Sequence, residues 1–294
     1  MSDSLLIEER IREFLREDLG SGDITSESLI EERLEGDALI FCREEAVIAG
    51  LKEASILFST LGCKTNQLVA DGETVEKERA ILEIKGPVRS ILLGERTALN
   101  LLMRMSGIAT ATRTVVGTAR SRNHKVRVAA TRKTAPGLSL FDKKAVAIGG
   151  GDTHRMRLDD CVLIKNNHIS IIGSIPEAVA RAKERTSFSK KVEVEVRDMQ
   201  QTIDAARSGA DIIMLDNFSP DEVKKTLSQL KGLGLRRSVL IESSGGITQE
   251  NIGEYAATGV DVISLGTLTH SVRAINMNLR MKDSDKDQKT SSHE

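Results

Sequence analysis

Apolar and polar positions follow two different patterns along the chain, and the change falls near Lys125. Before it, Leu5, Leu6, Ile7, Ile11, Phe14 and Leu15 recur at helical spacing among charges, which predicts an amphipathic first helix. Leu19-Gly20-Ser21-Gly22-Asp23 ends that helix with residues suited to a turn. Strand patterns follow at 36–42 and 46–49, a short helix over 51–61, and brief strand patterns at 67–69, 74–75 and 80–84. Residues 90–121 then read as a long helical stretch. Gly94 and Gly107 lie inside it, and each costs about 1 kcal/mol against Ala, which argues against one unbroken helix. This part predicts a small α+β domain ending in helices.

Beyond Lys125, short apolar runs recur, each followed by a polar site and a helical stretch. VRVAAT ends at Thr131, CVLIK at Lys165, VEVEV at Val196, IIMLD at Asp216, VLIESSGG at Gly246 and VISLG at Gly266. Amphipathic segments such as IPEAVARAKER and PDEVKKTLSQL lie between them. Most spacings are roughly twenty to thirty residues, the length of the β-α repeat that parallel strands require. Apolar strands separated by helices suit either a doubly wound sheet or a closed α/β barrel. Polar residues at the C-terminal end of nearly every strand favour the barrel, because barrels build their sites there. An open sheet would concentrate function at one switch point instead. The resulting division is an α+β domain over 1–112, with part of the C-terminal end free to pack on it, and a barrel over 113–280. The polar tail at 281–294 is expected to be disordered.

Composition narrows the choice of partner. The 294 residues carry a formal net charge of -1, no tryptophan and only 2% aromatic residues, which disfavours a basic, base-stacking nucleic-acid surface. Anion recognition should therefore be local, in a pocket. Cys42, Cys63 and Cys161 are widely separated, as suits a reducing compartment and neither a disulfide framework nor a zinc site. The five histidines form no H-x-x-x-H pair, which argues against a protein-built metal cage. The N-terminus is too acidic for a signal peptide, and no apolar run is long enough to span a bilayer. The expectation is a cytoplasmic protein without a membrane partner.

Against this near-neutral background, Arg132, Lys133, His154, Arg155 and Lys165 cluster in or beside the segments that end strands. Two explanations stand side by side. Such cations can solvate loop tips, or they can grip a multiply charged anion, with guanidinium groups binding carboxylates and phosphates bidentately. In VEVEV, strict alternation puts Glu193 and Glu195 on one face. Inside a barrel they would need a partner or a cation, whereas on an edge strand they would simply be wet. The next strand ends at Asp216-Asn217, and carboxylates so placed suit magnesium held partly by substrate phosphates. Ser243-Ser244-Gly245-Gly246-Ile247-Thr248 reads as a glycine turn entering a helix with Thr248 as its N-cap, an anion-binding arrangement. Gly266-Thr267-Leu268-Thr269-His270 repeats the idea one strand later, and two such strand ends in succession form a known phosphate-site arrangement. Arg96 sits on a helix where spacing alone assigns it no role beyond solvation or pairing. No Ser-His-Asp or Cys-His order points to a covalent nucleophile.

TRKTAPGL at 131–138, GGGDTHR at 149–155, LIKNNHI at 163–169, VEVEV at 192–196, IIMLDN at 212–217, SSGGIT at 243–248 and SLGTLTHS at 264–271 together resemble the quinolinate phosphoribosyltransferase family, also called carboxylating nicotinate-nucleotide pyrophosphorylase. EDLGSGDIT at 17–25 and ERTALNLLMRMSGIAT at 95–110 extend the likeness through the first domain. The resemblance implies an open α/β sandwich followed by an incomplete, TIM-like α/β barrel, working as a dimer or an assembly of dimers. It implies a pentosyltransferase that joins quinolinate to phosphoribosyl pyrophosphate, releasing pyrophosphate and carbon dioxide and yielding nicotinate mononucleotide for NAD synthesis. On that likeness Thr131, Arg132, His154, Arg155 and Lys165 would hold quinolinate, and Lys133 would lie between it and the phosphoribosyl group. Glu195 and Asp216 would take the ribose hydroxyls and the magnesium carried by pyrophosphate. Ser244, Gly245, Gly246, Gly266 and Thr267 would take the 5′-phosphate, with His270 close by, and Arg96 would enter from the neighbouring subunit. Lys133, Lys165, Glu195 and Asp216 are the implied catalytic set. The chain departs from the family pattern at Ala130, Ser139 and Asn166, where charged residues are common. A relative acting on nicotinate or another acceptor, and a non-catalytic phosphate-binding barrel, are the competing readings.

Overall fold

Ile7, Ile11 and Leu15, each four residues after the last, are buried along the first helix, α1 (Ser2–Leu19), which packs against α3 (Leu51–Thr60). The computed structural model describes residues 2–282. Between those helices lie α2 (Ile24–Leu29), whose Asp23 cap accepts from the Ser26 amide at 3.1 Å, and strands β1 (Glu35–Cys42) and β2 (Ala46–Val47). After α3 come β3 (Lys64–Gln67), β4 (Thr74–Val75), β5 (Arg79–Pro87) and α4 (Val88–Arg122). Strand β5 pairs antiparallel with both β1 and β3, and Ala38, Ile40 and Cys42 line the buried face of β1 at the two-residue period of a strand. The strand expected at 67–69 thus lies earlier, at Lys64–Gln67.

The strand expected over 46–49 is paired only at Ala46 and Val47, opposite β4. Ile48 exchanges backbone hydrogen bonds with Glu73 and Gly72, and two further amides find partners on α4. The Val47 amide donates to Thr110 Oγ1 (2.9 Å), and the Ala49 amide donates to Ser106 Oγ (3.0 Å), which in turn donates to the Ala49 carbonyl (3.2 Å).

The long helical stretch forms, and despite its two glycines α4 runs unbroken for 35 residues. Its glycines are sites of close approach. A Cβ at Gly94 would fall 2.8–2.9 Å from the side chains of Leu57, Phe58 and Leu61, and one at Gly107 would fall 2.1 Å from the Arg273 carbonyl oxygen. The propensity penalty of about 1 kcal/mol per glycine is outweighed by the packing that the missing side chain permits.

Two compact units result, one made of residues up to Thr110 together with those from Arg273, the other of Ala111–Val272. The second unit contains β6 (Arg127–Ala129), α5 (Ser139–Ile148), β7 (Val162–Ile164), α6 (Asn166–Ile172), α7 (Ile175–Arg185), β8 (Val192–Val196), α8 (Met199–Arg207), β9 (Ile212–Asp216), α9 (Pro220–Gly232), β10 (Leu240–Ser244), α10 (Ile252–Ala256), β11 (Val262–Ser264) and α11 (Thr267–His270). Its strands are all parallel in the order β6-β11-β10-β9-β8-β7. The first strand therefore lies beside the last, as in a barrel left open between its first and second strands. Asp152 partly fills that opening: its amide donates to the Val128 carbonyl (2.7 Å), and the Ala130 amide donates to its carbonyl (2.9 Å). Helix starts are set by side-chain caps, with Ser174 on α7, Asp198 on α8 and a Ser219–Glu222 capping box on α9.

The sequence placed the barrel at 113–280. The second unit ends at Val272, and the chain returns as β12 (Met277–Met281), antiparallel to β1 in the first unit's sheet. Met281 ends that strand, and most of the tail expected to be disordered lies outside the described residues. No helix among the described residues is long and apolar enough to cross a membrane.

Gly107→Ala should destabilise the protein by about 1–3 kcal/mol, the usual cost of forcing atoms into a packed site. Gly117→Ala, on the same helix with open space around its Cβ, should stabilise it by up to about 1 kcal/mol. Denaturant titration of both variants checks the pair.

Candidate active site

The C-terminal ends of the parallel strands bring most of the singled-out residues of the second unit together. Lys165, immediately after β7, caps α6, and its amide donates to His168 Nδ1 (2.9 Å). Its ammonium pairs with Glu195 near the end of β8. Asn166 lies beside the same carboxylate, and with its amide turned so that the oxygen faces Arg197 it accepts from Arg197 Nε at 2.6 Å.

One strand further, Asp216 ends β9 and accepts from the Asn217 side-chain amide (3.0 Å). Asn217 has a left-handed φ of 61°, and its own backbone amide donates to the Ser244 carbonyl (2.8 Å). Its side chain lies against the next turn so closely that a Cβ on Gly245 would come 2.3 Å from Asn217 Oδ1. Gly245 and Gly246 both have positive φ, at 89° and 64°. The helix after this turn is shorter and later than expected. It begins at Ile252 with Asn251 at its N-cap, while Thr248 donates its amide to Asn251 Oδ1 (2.8 Å). Any anion bound here would therefore meet turn amides rather than the end of a long helix.

The last strand end faces the first. Thr269 Oγ1 donates to the Lys133 carbonyl (2.8 Å), and a Cβ on Gly266 would come 3.0 Å from both the Lys133 and the His270 side chains. Thr131 Oγ1 accepts from the Lys133 amide (3.1 Å), which shapes the loop that carries Arg132 and Lys133 with both side chains exposed. Thr267 is exposed at the start of α11. Arg96 belongs to the other unit, exposed on α4, where it lines a cavity of about 310 Å³ with Asp18 and Asp23.

Deeper in the second unit, His154 Nε2 lies 3.0 Å from Glu242 Oε2 and 3.6 Å from Glu193 Oε2. Both carboxylates are buried, which for Glu193 decides between the two readings that the alternation in VEVEV left open. Glu242 Oε1 accepts from Ser264 Oγ (2.6 Å), which is hydrogen-bonded to Ser244 Oγ (2.9 Å). Burial works against charge on His154, but its hydrogen bond to Glu242 and the charges of Glu242 and Glu193 outweigh it and hold the imidazole above its usual pKa. Burial, together with the neighbouring Glu242 charge, pushes the Glu193 carboxyl up to about 7. Arg155 reaches the Cys161 carbonyl (3.4 Å). Arg155, His154 and the two glutamates also line a cavity of about 750 Å³. Arg127, Ile212, Leu240 and Val262, at the start of their strands, line it as well.

Two charged residues near these groups were not singled out from the sequence. Glu242 lies two residues before Ser244 on the same strand face, so the alternation argument applied to VEVEV would have found it. Lys143 carries no such signal. It is fully buried on α5, where burial lowers its pKa to about 8, and its ammonium donates to the carbonyls of Thr153 and of Arg155 (3.1 Å). From sequence, a lysine in a short helix reads as solvated.

His154 should titrate above 6.5, and Glu242→Gln should bring its midpoint down. With the folded pKa raised, the stabilisation from its charged form is complete below the unfolded value of 6.5 and fades as pH rises through the folded value. Histidine-selective NMR across pH 5–9 measures both midpoints, and an unchanged midpoint in the variant would contradict the assignment.

Comparison with known proteins covers both units. Residues 23–106 match the family description "Quinolinate phosphoribosyl transferase, N-terminal domain" and residues 108–280 its C-terminal domain. A "Probable nicotinate-nucleotide pyrophosphorylase [carboxylating]" of Methanothermobacter thermautotrophicus is 47% identical over 272 residues, 92% of this chain and 98% of that protein. The "Nicotinate-nucleotide pyrophosphorylase [carboxylating]" of Homo sapiens is 37% identical over 244 residues, 83% of this chain and 82% of that protein. The solved nicotinate-nucleotide pyrophosphorylase of Francisella tularensis superposes with a TM-score of 0.86 at 38% identity, covering 94% of this chain and 96% of its own.

Proposed function

The chain belongs to the quinolinate phosphoribosyltransferase family, and from that premise we propose how its residues carry the family's reaction. The enzyme transfers the phosphoribosyl group of phosphoribosyl pyrophosphate to quinolinate, releasing pyrophosphate and carbon dioxide and forming nicotinate mononucleotide for NAD synthesis. The observation that carries the residue assignments is the arrangement of cations, carboxylates and glycine turns along one set of parallel strand ends. Lys165 pairs with Glu195, Asp216 meets Asn217, and Lys133 and His270 close on Gly266.

Thr131, Arg132, His154, Arg155 and Lys165 bind the two quinolinate carboxylates, a dianion that needs several donors in a near-neutral protein. Lys133 stands between acceptor and sugar. Ser244, Gly245, Gly246, Gly266 and Thr267 receive the 5′-phosphate, with His270 beside it. Their support is the positive φ of both turn glycines and the close approach that Gly266 permits. Glu195 and Asp216 hold the ribose hydroxyls and the magnesium that accompanies pyrophosphate. Their oxygens, on neighbouring strands β8 and β9, are the hard donors that such an ion prefers. Bound magnesium would supply charge neutralisation for the departing pyrophosphate.

The bond from ribose C1 to the pyrophosphate oxygen breaks as the pyridine nitrogen forms its bond to C1. Lys133 and Lys165 favour this step by placing positive charge where negative charge accumulates. When the adjacent carboxylate departs as carbon dioxide, its bonding electron pair stays on the ring carbon, stabilised by the neighbouring positive nitrogen, until a solvent proton takes the vacated position. The chain's contribution is therefore orientation and fixed charge, without a covalent enzyme intermediate.

Arg96 acts at the site of a second copy in a homodimer. Its support is its position, an exposed cation on α4. The three free cysteines, two of them buried, support a reading of the enzyme as cytoplasmic.

With magnesium and phosphoribosyl pyrophosphate, the protein should release carbon dioxide and form the mononucleotide from quinolinate. Lys165→Ala should lower kcat/KM at least about a hundredfold, the scale of two charge-assisted hydrogen bonds removed at once. Turnover with nicotinate in place of quinolinate would refute the acceptor assignment. For the shared site, mixing inactive Arg96→Ala with inactive Lys165→Ala should restore part of the activity through heterodimers. Heterodimers that form and stay inactive would remove Arg96 from the mechanism.

A further inference from the structure

Three buried charged residues surround His154, and none is among those assigned to substrate. We propose that Glu193, Glu242 and Lys143 are positioning residues that hold His154, side chain and backbone together, for the acceptor's carboxylate. The proposal rests on the reading of His154 as an acceptor ligand.

His154 has a φ of 51°, in the left-handed region that few non-glycine residues occupy, so neighbouring groups must hold it there. The Lys143 ammonium donates to the carbonyls on both sides of it, Thr153 and Arg155, and the His154 amide donates to Asp152 Oδ1 (2.8 Å). A fully buried ammonium is costly, and an apolar side chain of the same length would fill the space without that cost. What the ammonium adds is a fork that gathers two carbonyls and sets the loop between them.

The side chain is held as firmly. Nε2 faces the Glu242 and Glu193 carboxylates at 3.0 Å and 3.6 Å, which keeps a proton on that nitrogen. The imidazolium form then offers its second N–H, at Nδ1, as a donor. Glu242 is itself anchored by Ser264, which joins Ser244 in the glycine turn. A chain of buried polar contacts thus connects the segment assigned to the phosphate with the one assigned to the acceptor. Glu193 Oε1 has no hydrogen-bond partner among the described residues, which fits a carboxylate retained for its charge rather than for packing.

The ligand atoms of His154, Glu193 and Glu242 also lie within 4.8 Å of one another, close enough for a divalent cation in place of the Nε2 proton. Ser264 and His154 already engage both oxygens of Glu242, which favours the proton.

The test measures steady-state kinetics and thermal melting for Glu193→Gln, Glu242→Gln and Lys143→Met, with His154→Gln as reference. Each positioning variant should raise the quinolinate KM about tenfold, the scale of one hydrogen bond to a charged group, and leave the phosphoribosyl pyrophosphate KM within about twofold. Adding Glu242→Gln to His154→Gln should cost little more, since both changes remove one arrangement. If His154→Gln raises the quinolinate KM but the glutamine variants do not, the positioning proposal fails and the ligand reading stands. An unchanged quinolinate KM in His154→Gln overturns that reading, and the proposal with it. Fully multiplicative effects, or one equivalent of divalent metal that is lost in Glu193→Gln, also overturn the proposal. Should Lys143→Met not fold, the two isosteric glutamine variants decide.

Discussion

The pairing of His154 with Glu193 and Glu242 is the interaction on which the catalytic unit depends. Two carboxylates without solvent contact on the inner face of a parallel sheet would oppose folding unless something neutral or positive met them. The imidazole meets both. To reach them, the chain after three glycines must pass beside β6 and turn through a left-handed residue, which explains why Asp152 bonds to β6 and why Lys143 gathers the adjoining carbonyls. Much of the geometry between β6 and β7 follows from satisfying that one pair of acids.

The same logic of compensation runs along the strand ends. Glu195 is neutralised by Lys165, and Asp216 is oriented by Asn217, whose strained backbone is in turn tied to Ser244. Lys165 thus meets Glu195, and Asn217 meets Ser244, across neighbouring strand ends that parallel pairing sets in register. The chemistry asks for little else. A reaction whose transition state develops charge on ribose and pyrophosphate needs fixed, oriented charge more than it needs a nucleophile.

Glycine serves opposite ends in the two units. Within α4, Gly94 and Gly107 admit side chains and a carbonyl that any Cβ would exclude, so residues that weaken a helix locally secure its packing. In the turn after β10, Gly245 and Gly246 supply positive φ and leave room for the Asn217 amide. Residue type alone does not separate these cases, because the difference lies in what approaches from elsewhere in the chain.

The sequence by itself determined the class of each unit and that Glu193 and Glu195 share one face of VEVEV. Both follow from local periodicity, which a strand or helix expresses whatever surrounds it. Its motifs also sufficed to identify the family. The C-terminal end, read from sequence as free to pack on the first domain, does so as β12, while tertiary structure alone decided that α4 is continuous and that Lys143 is buried rather than solvated. It also decided which partner answers the inward acids. The cations at 132, 133, 154, 155 and 165 had two open explanations in sequence, and they divide. Lys165 meets Glu195 near the end of β8, while His154 turns inward to Glu193 and Glu242. Those pairings join residues 30 and 88 positions apart, for Lys165 with Glu195 and His154 with Glu242, a separation at which local pattern carries no information and only the register of neighbouring strands does.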